Sequence, residues 1–287
     1  MSRLAFVFSG GGARGALQVG ALRALLESGI YPDLLTGTSI GAANAVFFAL
    51  SPTLQQVDLL ERIWEDVART NILPSNWAYI VLRALLNRAR IHPDPRIRNF
   101  FLDHLPRPDL RFRDLALPTY VIAADLNHAC MVIFGEDPDD LVLDGVLAST
   151  AIPPWVRPLE RGDQFLMDGG AVSNLPIEAA VRHGATDIIA LDISQDRPID
   201  PQEQGFRPFV SKLLTTVSRR QMELELYLAE KEGVNVYHVH MQTRPPVMIW
   251  DFSQANYLIR EGYHIMHRYI EAHRDALARY RQRGHEG

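Results

Sequence analysis

With 287 residues, 47% of them apolar and 22% charged, the chain is long enough to bury one large core and does not require a second domain. A formal net charge of −5 supplies no global positive field, which excludes nucleic acid as an expected partner. One cysteine, Cys130, cannot close an internal disulfide, and no apolar stretch reaches the roughly 18 to 20 residues of a spanning helix, so a cytoplasmic protein that touches membrane at most peripherally is expected.

Along the chain, short apolar runs alternate with longer stretches of helical period. Residues 4–8 read as a buried strand and 16–28 as a helix closed by Gly29. A brief strand at 34–36 precedes a helix at 40–50, whose small residues Gly41, Ala42 and Ala43 let it sit close to a sheet. Helical spacing recurs at 54–68 and 77–87, and Pro93, Pro95, Pro106 and Pro108 mark loops around another short helix. Strands are expected at 119–123, 131–134, 165–167, 187–193 and 234–239, and helices at 177–183, 209–231 and 256–280. The polar stretch 195–207 reads as a surface loop. This alternation predicts an α/β fold: a three-layer sandwich with a mainly parallel central sheet flanked by helices, in a single domain over 1–287 whose part from about 208 is helical.

The chemistry starts at Gly37-Thr38-Ser39-Ile40-Gly41. In a G-x-S-x-G segment the serine sits on a sharp strand-to-helix turn, where the flanking glycines remove side chains that would clash. The positive end of the following helix favours an ionised nucleophile and the anion formed on attack. Upstream, Ser9-Gly10-Gly11-Gly12-Ala13-Arg14-Gly15 forms a glycine-rich loop in which the N–H groups of Gly11 and Gly12 could stabilise a tetrahedral oxyanion. Arg14 adds a positive charge that could hold the loop or meet an anionic head group. The same loop also spells Gly10-x-Gly12-x-x-Gly15, a dinucleotide fingerprint with Asp33 about 20 residues on. Against that reading, Asp33 precedes the second strand instead of ending it. Far downstream, Asp168-Gly169-Gly170 offers a carboxylate at a strand end on a tight turn, with an ordinary turn aspartate as the alternative use.

Read together, these motifs resemble those of the patatin-like phospholipase family. Gly10 to Gly15 match its anion-hole motif, Gly37 to Gly41 its nucleophile elbow and Asp168-Gly169-Gly170 its aspartate motif, while Ala148-Ser149-Thr150-Ala151-Ile152-Pro153 resembles a block that precedes the aspartate. The resemblance covers about residues 4–184 and implies a Ser39–Asp168 dyad, an oxyanion held by Gly11 and Gly12, an acyl-enzyme formed on a lipid or ester substrate, and no metal or cofactor. Two alternatives stand beside it. One is an esterase triad completed by His238, His240 or His264, and the other is a lipid-binding module that does not cleave.

Other residues carry plainer expectations. Cys130 lacks a CxxC partner and is expected to be a small buried apolar residue. His92, Asp94 and His104 match no familiar metal spacing. Trp77, Tyr79, Ile80, Val81, Leu82, Leu85 and Leu86, with Arg83, Arg88 and Arg90, form a helical face suited to packing on a core or to a lipid interface. Arg274, Arg279, Arg281 and Arg283 read as a solvated helix face. Oligomeric state is left open.

Overall fold

The computed structural model describes residues 2–70, 95–152, 156–195 and 206–281. The expected 77–87 helix, His92, Asp94, Arg283 and most of the 195–207 loop lie outside these residues. Among the described residues eight strands form one sheet: β1 (Leu4–Phe8), β2 (Leu34–Thr38), β3 (Thr119–Asp125), β4 (Cys130–Phe134), β5 (Leu159–Arg161), β6 (Gln164–Asp168), β7 (Asp187–Asp192) and β8 (Asn235–His240). Their order is β5-β6-β3-β2-β1-β7-β8, with β4 also paired to β3. From β3 to β8 the neighbours are parallel, while β4, β5 and β6 add an antiparallel flank.

Strand β1 lies at the centre and is buried on both faces, so its residues run apolar without a break. Phe6 and Phe8 enter the larger core, and Ala5 and Val7 the smaller one on the other face. Over the large core lie α1 (Ala16–Glu27), α2 (Ile40–Ala49), α3 (Leu54–Thr70), α4 (Pro95–His104) and α5 (Val142–Ser149). On the opposite face lie α6 (Ile177–Arg182) and α7 (Phe206–Lys231). Helix α8 (Ala255–Ala272) crosses α1, and the single helix expected over 256–280 breaks at His273, after which Arg274–Leu277 form one further turn, α9. Together these layers make the α/β sandwich that the alternation predicts.

The α1–α8 crossing depends on two glycines. A Cβ on Gly20 would stand 1.9 Å from the Ile259 carbonyl oxygen, and one on Gly262 would stand 1.9 Å from that of Leu17. Gly262→Ala must therefore push two backbones apart and is expected to cost about 1–3 kcal/mol or more in urea unfolding. A change below about 0.5 kcal/mol, the size of an ordinary surface substitution, would show that the helices separate freely.

Two expectations need correction. Cys130 is exposed, because it opens β4 at the tip of the β3–β4 hairpin, beyond the cover of the helices. Arg281 is partly buried and not simply solvated, whereas Arg279 is exposed and its guanidinium reaches Asp187 Oδ1 at 2.7 Å. Asp187 also accepts from Ser2, Thr186 and Asn235. Burial pushes its pKa up, and hydrogen bonds from Ser2, Tyr280, Thr186 and Asn235 outweigh it and hold the carboxyl at about 2.

Candidate active site

Strand register explains how residues 39 and 168 meet. Along one edge of β3, Thr38 at the end of β2 pairs with Ile122, and Asp168 at the end of β6 pairs with the next residue, Ala123. Because β4 occupies the other edge, β2 and β6 run toward each other on the same edge, and their C-terminal ends abut. Ser39 and Asp168 are the residues at that junction, 6% and 7% exposed.

Ser39 takes φ 57° and ψ −128°, a conformation that costs a residue with a Cβ on the order of 1–3 kcal/mol. Its N–H donates to Ser149 Oγ at 2.8 Å, and its carbonyl accepts from the N–H groups of Ala42 and Ala43. Ser149, buried at the end of α5, thus holds the strained turn from behind. Gly37 lies in β2 opposite Phe8, and Gly41 faces the carbonyls of Phe8 and Ser9 at the close approach of α2 to β1.

Asp168 caps the 3-10 turn Gly169–Ala171, its Oδ1 accepting from the Gly170 N–H at 2.8 Å. Burial raises its pKa to about 6, opposed by the Ser39 hydroxyl and the Gly170 N–H, both of which favour the ionised form. Although the hydroxyl is near enough to exert that effect, no well-aligned hydrogen bond closes on Oδ2, which is buried and unpartnered among the described residues.

The glycine loop follows β1 and turns into α1 through the 3-10 segment Gly12–Gly15. Gly10 donates its N–H to the Asn174 carbonyl at 3.0 Å, and Ala13 donates to the Ile249 carbonyl at 2.7 Å. Among the described residues the N–H groups of Gly11 and Gly12 have no acceptor, so two neighbouring amide donors are left open. Gly12 has φ +59°, and a Cβ there would stand 2.2 Å from the Ile249 oxygen. Arg14 bends back so that Nε donates to the Gly11 carbonyl at 3.2 Å, and Nη1 lies 3.4 Å from Gln195 Oε1. Gly15 presents its carbonyl to Asn44 Nδ2 at 2.9 Å.

Several supporting residues gave no signal as such in the sequence. Asn44 interrupts the all-apolar helix α2, and its amide also donates to Gln18 Oε1 at 2.9 Å while accepting from Trp64 Nε1 at 3.0 Å. Gln18 in turn donates to the Ser9 and Leu191 carbonyls. This buried chain ties the glycine loop to the elbow helix. Asn44→Ala would strand the Trp64 and Gln18 groups, so a loss of about 1–3 kcal/mol is expected in thermal denaturation, and an unchanged midpoint would show that the chain is redundant. A lone amide inside an apolar helix was the available sequence clue. Behind the aspartate turn, Thr38 Oγ1 donates to the Ser173 carbonyl at 2.7 Å, and Glu225 on α7 accepts from Ser173 Oγ.

The structure also places the residues of the alternative readings. Asp33 accepts from the Leu4 N–H at the start of β1, the end of the sheet opposite the glycine loop. His238 and His240 lie on β8, where His238 Nε2 is 2.9 Å from Asp192 Oδ2, and His264 stands edge-on to Tyr263. No histidine among the described residues bonds to Asp168. His104 is held by the Phe100 carbonyl, and no cluster suited to a metal ion occurs among the described residues.

Comparison with known proteins gives the family. The Patatin-like phospholipase family model matches residues 6–181. Patatin-like phospholipase domain-containing protein 7 of Rattus norvegicus is 30% identical over 204 residues, covering 70% of this chain and 14% of that protein. Patatin-like phospholipase domain-containing protein 6 of Homo sapiens is 30% identical over 205 residues, with the same two shares of 70% and 14%. The chain therefore spans about one seventh of the length of these relatives. VipD from Legionella pneumophila superposes with a TM-score of 0.51 over 95% of this chain and 67% of its own, at 15% identity, a likeness of fold alone. Since the family match takes in the glycine loop, the serine turn and the aspartate turn and extends over more than half of the sequence, this chain belongs to the patatin-like phospholipase family.

Proposed function

We propose that the chain is a serine-dependent acyl hydrolase that cleaves fatty-acyl esters of phospholipids or other lipids, with Ser39 as nucleophile and Asp168 as its base. The observation that carries this reading is the abutment of β2 and β6, which sets a strained serine beside a buried carboxylate with an open oxygen. In the first step Ser39 Oγ bonds to the acyl carbon as its proton passes to Asp168 Oδ2. The carbonyl oxygen becomes an oxyanion, and the open N–H groups of Gly11 and Gly12 are the donors to receive it. Collapse expels the alcohol, which takes the proton from Asp168, and water then repeats the sequence on the acyl-enzyme.

An ordinary aspartate is a weak base with a pKa near 3.9, so the rise to about 6 brings Asp168 closer to the operating range while leaving it ionised at neutral pH. The pairing of His238 with Asp192, one strand beyond β1, favours the dyad over a histidine triad. Residues 1–287 would act as one catalytic domain, and the steps call for no metal or cofactor. Hydrolysis of p-nitrophenyl butyrate by the purified chain tests the reading. Turnover that depends on Ser39 supports it, and no turnover by the wild type would favour a lipid-binding module that does not cleave.

A further inference from the structure

Helix α7 is much longer than the strands it packs beside. It returns antiparallel to β7, so its N-terminal end lies on the side of the sheet where Ser39 and Asp168 sit. Two side chains fix its height. Gln221 Nε2 donates to the Ala171 carbonyl at 2.9 Å, and Glu225 accepts from Ser173 Oγ at 2.5 Å and from the Glu178 N–H at 3.0 Å. From Gln221 back to Phe206 the helix continues for 15 residues, about 22 Å at 1.5 Å per residue, beyond the level of the aspartate turn.

Nothing described in that projecting half is buried. Phe209, Leu213 and Val217, four residues apart on one stripe, are 62%, 51% and 45% exposed. Large apolar side chains in such a row are unusual on a surface that faces only water. Their setting is also charged in one sense: residues 206–220 hold Arg207, Lys212, Arg219 and Arg220 and no acid, in a chain of net charge −5. Glu223, just beyond the segment, pairs with Arg219 at 3.5 Å and with Arg220 at 3.2 Å. Around the same site, Trp250 follows the Ile249 carbonyl that holds Ala13, and Ile152 follows the Ala151 carbonyl that holds Asp168, and both are exposed.

We propose that the projecting half of α7 docks on an anionic lipid surface, its apolar stripe entering the acyl boundary, its cations meeting lipid phosphates or carboxylates, and Trp250 and Ile152 seating the mouth of the site on the same plane. The choice of a lipid partner rests on the acyl-ester reading above. Gln221 and Glu225 anchor the arm to the turn that carries Asp168, so the docked helix and the reacting groups keep a fixed spacing.

The test uses the full chain carrying Ser39→Ala, so that hydrolysis cannot alter the membrane. Co-sedimentation is measured with vesicles of phosphatidylcholine alone and of phosphatidylcholine mixed with phosphatidylserine. Binding is expected chiefly to the mixed vesicles, and Phe209→Ser with Leu213→Ser and Val217→Ser is expected to lower it at least tenfold while circular dichroism stays unchanged. Equal partitioning with and without the three changes would overturn the proposal. So would sedimentation velocity showing a dimer that those changes convert to a monomer, since the stripe would then serve a second copy of the chain. With Ser39 intact, the triple variant is expected to hydrolyse a soluble butyrate ester at the wild-type rate. If neither protein cleaves that ester while vesicle binding holds, the catalytic reading fails and the docking surface stands.

Discussion

Replacing Ser39 with alanine is expected to lower kcat for a soluble p-nitrophenyl ester by about 10⁴-fold or more, equivalent to about 5.5 kcal/mol of transition-state stabilisation. The variant should fold, because the contacts that hold the turn run through the backbone: the N–H to Ser149 Oγ and the carbonyl to Ala42 and Ala43. Alanine keeps the strain of φ 57°, since the cost comes from Cβ and not from the hydroxyl. Ser39→Gly should therefore be equally inactive yet more stable than Ser39→Ala by about 1 kcal/mol. Retention of more than a tenth of the wild-type rate in either variant would remove Ser39 from its role, whatever the stability.

Asp168→Asn should separate activity from stability in opposite directions. Without a base of suitable pKa, kcat is expected to fall about 10³-fold or more with little change in KM, because the carboxylate acts on the reacting proton and not on ground-state binding. The fold should gain. A carboxyl whose folded pKa is raised to about 6 binds protons more tightly in the folded chain than in the unfolded one, so stability declines as pH rises from about 4 to 6. Asparagine removes that buried charge while a side-chain oxygen can still accept from Gly170, and an increase of up to about 3 kcal/mol at pH 7 is the limit set by the shift.

Glu225 behaves in the same sense, burial raising it to about 7 against the Ser173 hydroxyl and the Glu178 N–H. Thermal midpoints of the wild type are thus expected to rise as pH is lowered from about 8 to 5, while turnover falls through about 6 as Asp168 takes a proton. At the acid limit Asp187, held at about 2, contributes stability above the ordinary carboxylate range that is lost as pH falls toward 2. A midpoint that climbs steadily from pH 5 to 8, or an activity profile flat across pH 5 to 7, would contradict the environment assigned to Asp168.

How far the sequence could be read depended on how local each feature is. The run 4–8 and the helix over 16–28 emerge almost unchanged as β1 and α1, because continuous burial and helical period are written in adjacent residues. The sequence alone shows β2 only over 34–36, since Gly37 looks like a turn residue until its pairing with Phe8 extends the strand. The parallel succession was legible, and so were the strands at 131–134 and 165–167 that become β4 and β6, but their antiparallel pairing is not written in adjacent residues, and β5 with three residues and α5 with eight are too short to show a period. Cys130 was expected inside because isolated apolar residues usually are, and only the hairpin tip puts it in water.

Composition and motif spacing by themselves determined the α/β class, the three candidate segments and their order, since turn chemistry and periodicity act between near neighbours. Tertiary structure alone decided that β2 and β6 share an edge of β3 and bring residues 39 and 168 together. It also decided that Asn174 and Ile249 take the amides of Gly10 and Ala13, while those of Gly11 and Gly12 stay open among the described residues. The same holds for the raised pKa of Asp168, because desolvation and hydrogen-bond satisfaction are set by groups that meet in space from distant parts of the chain.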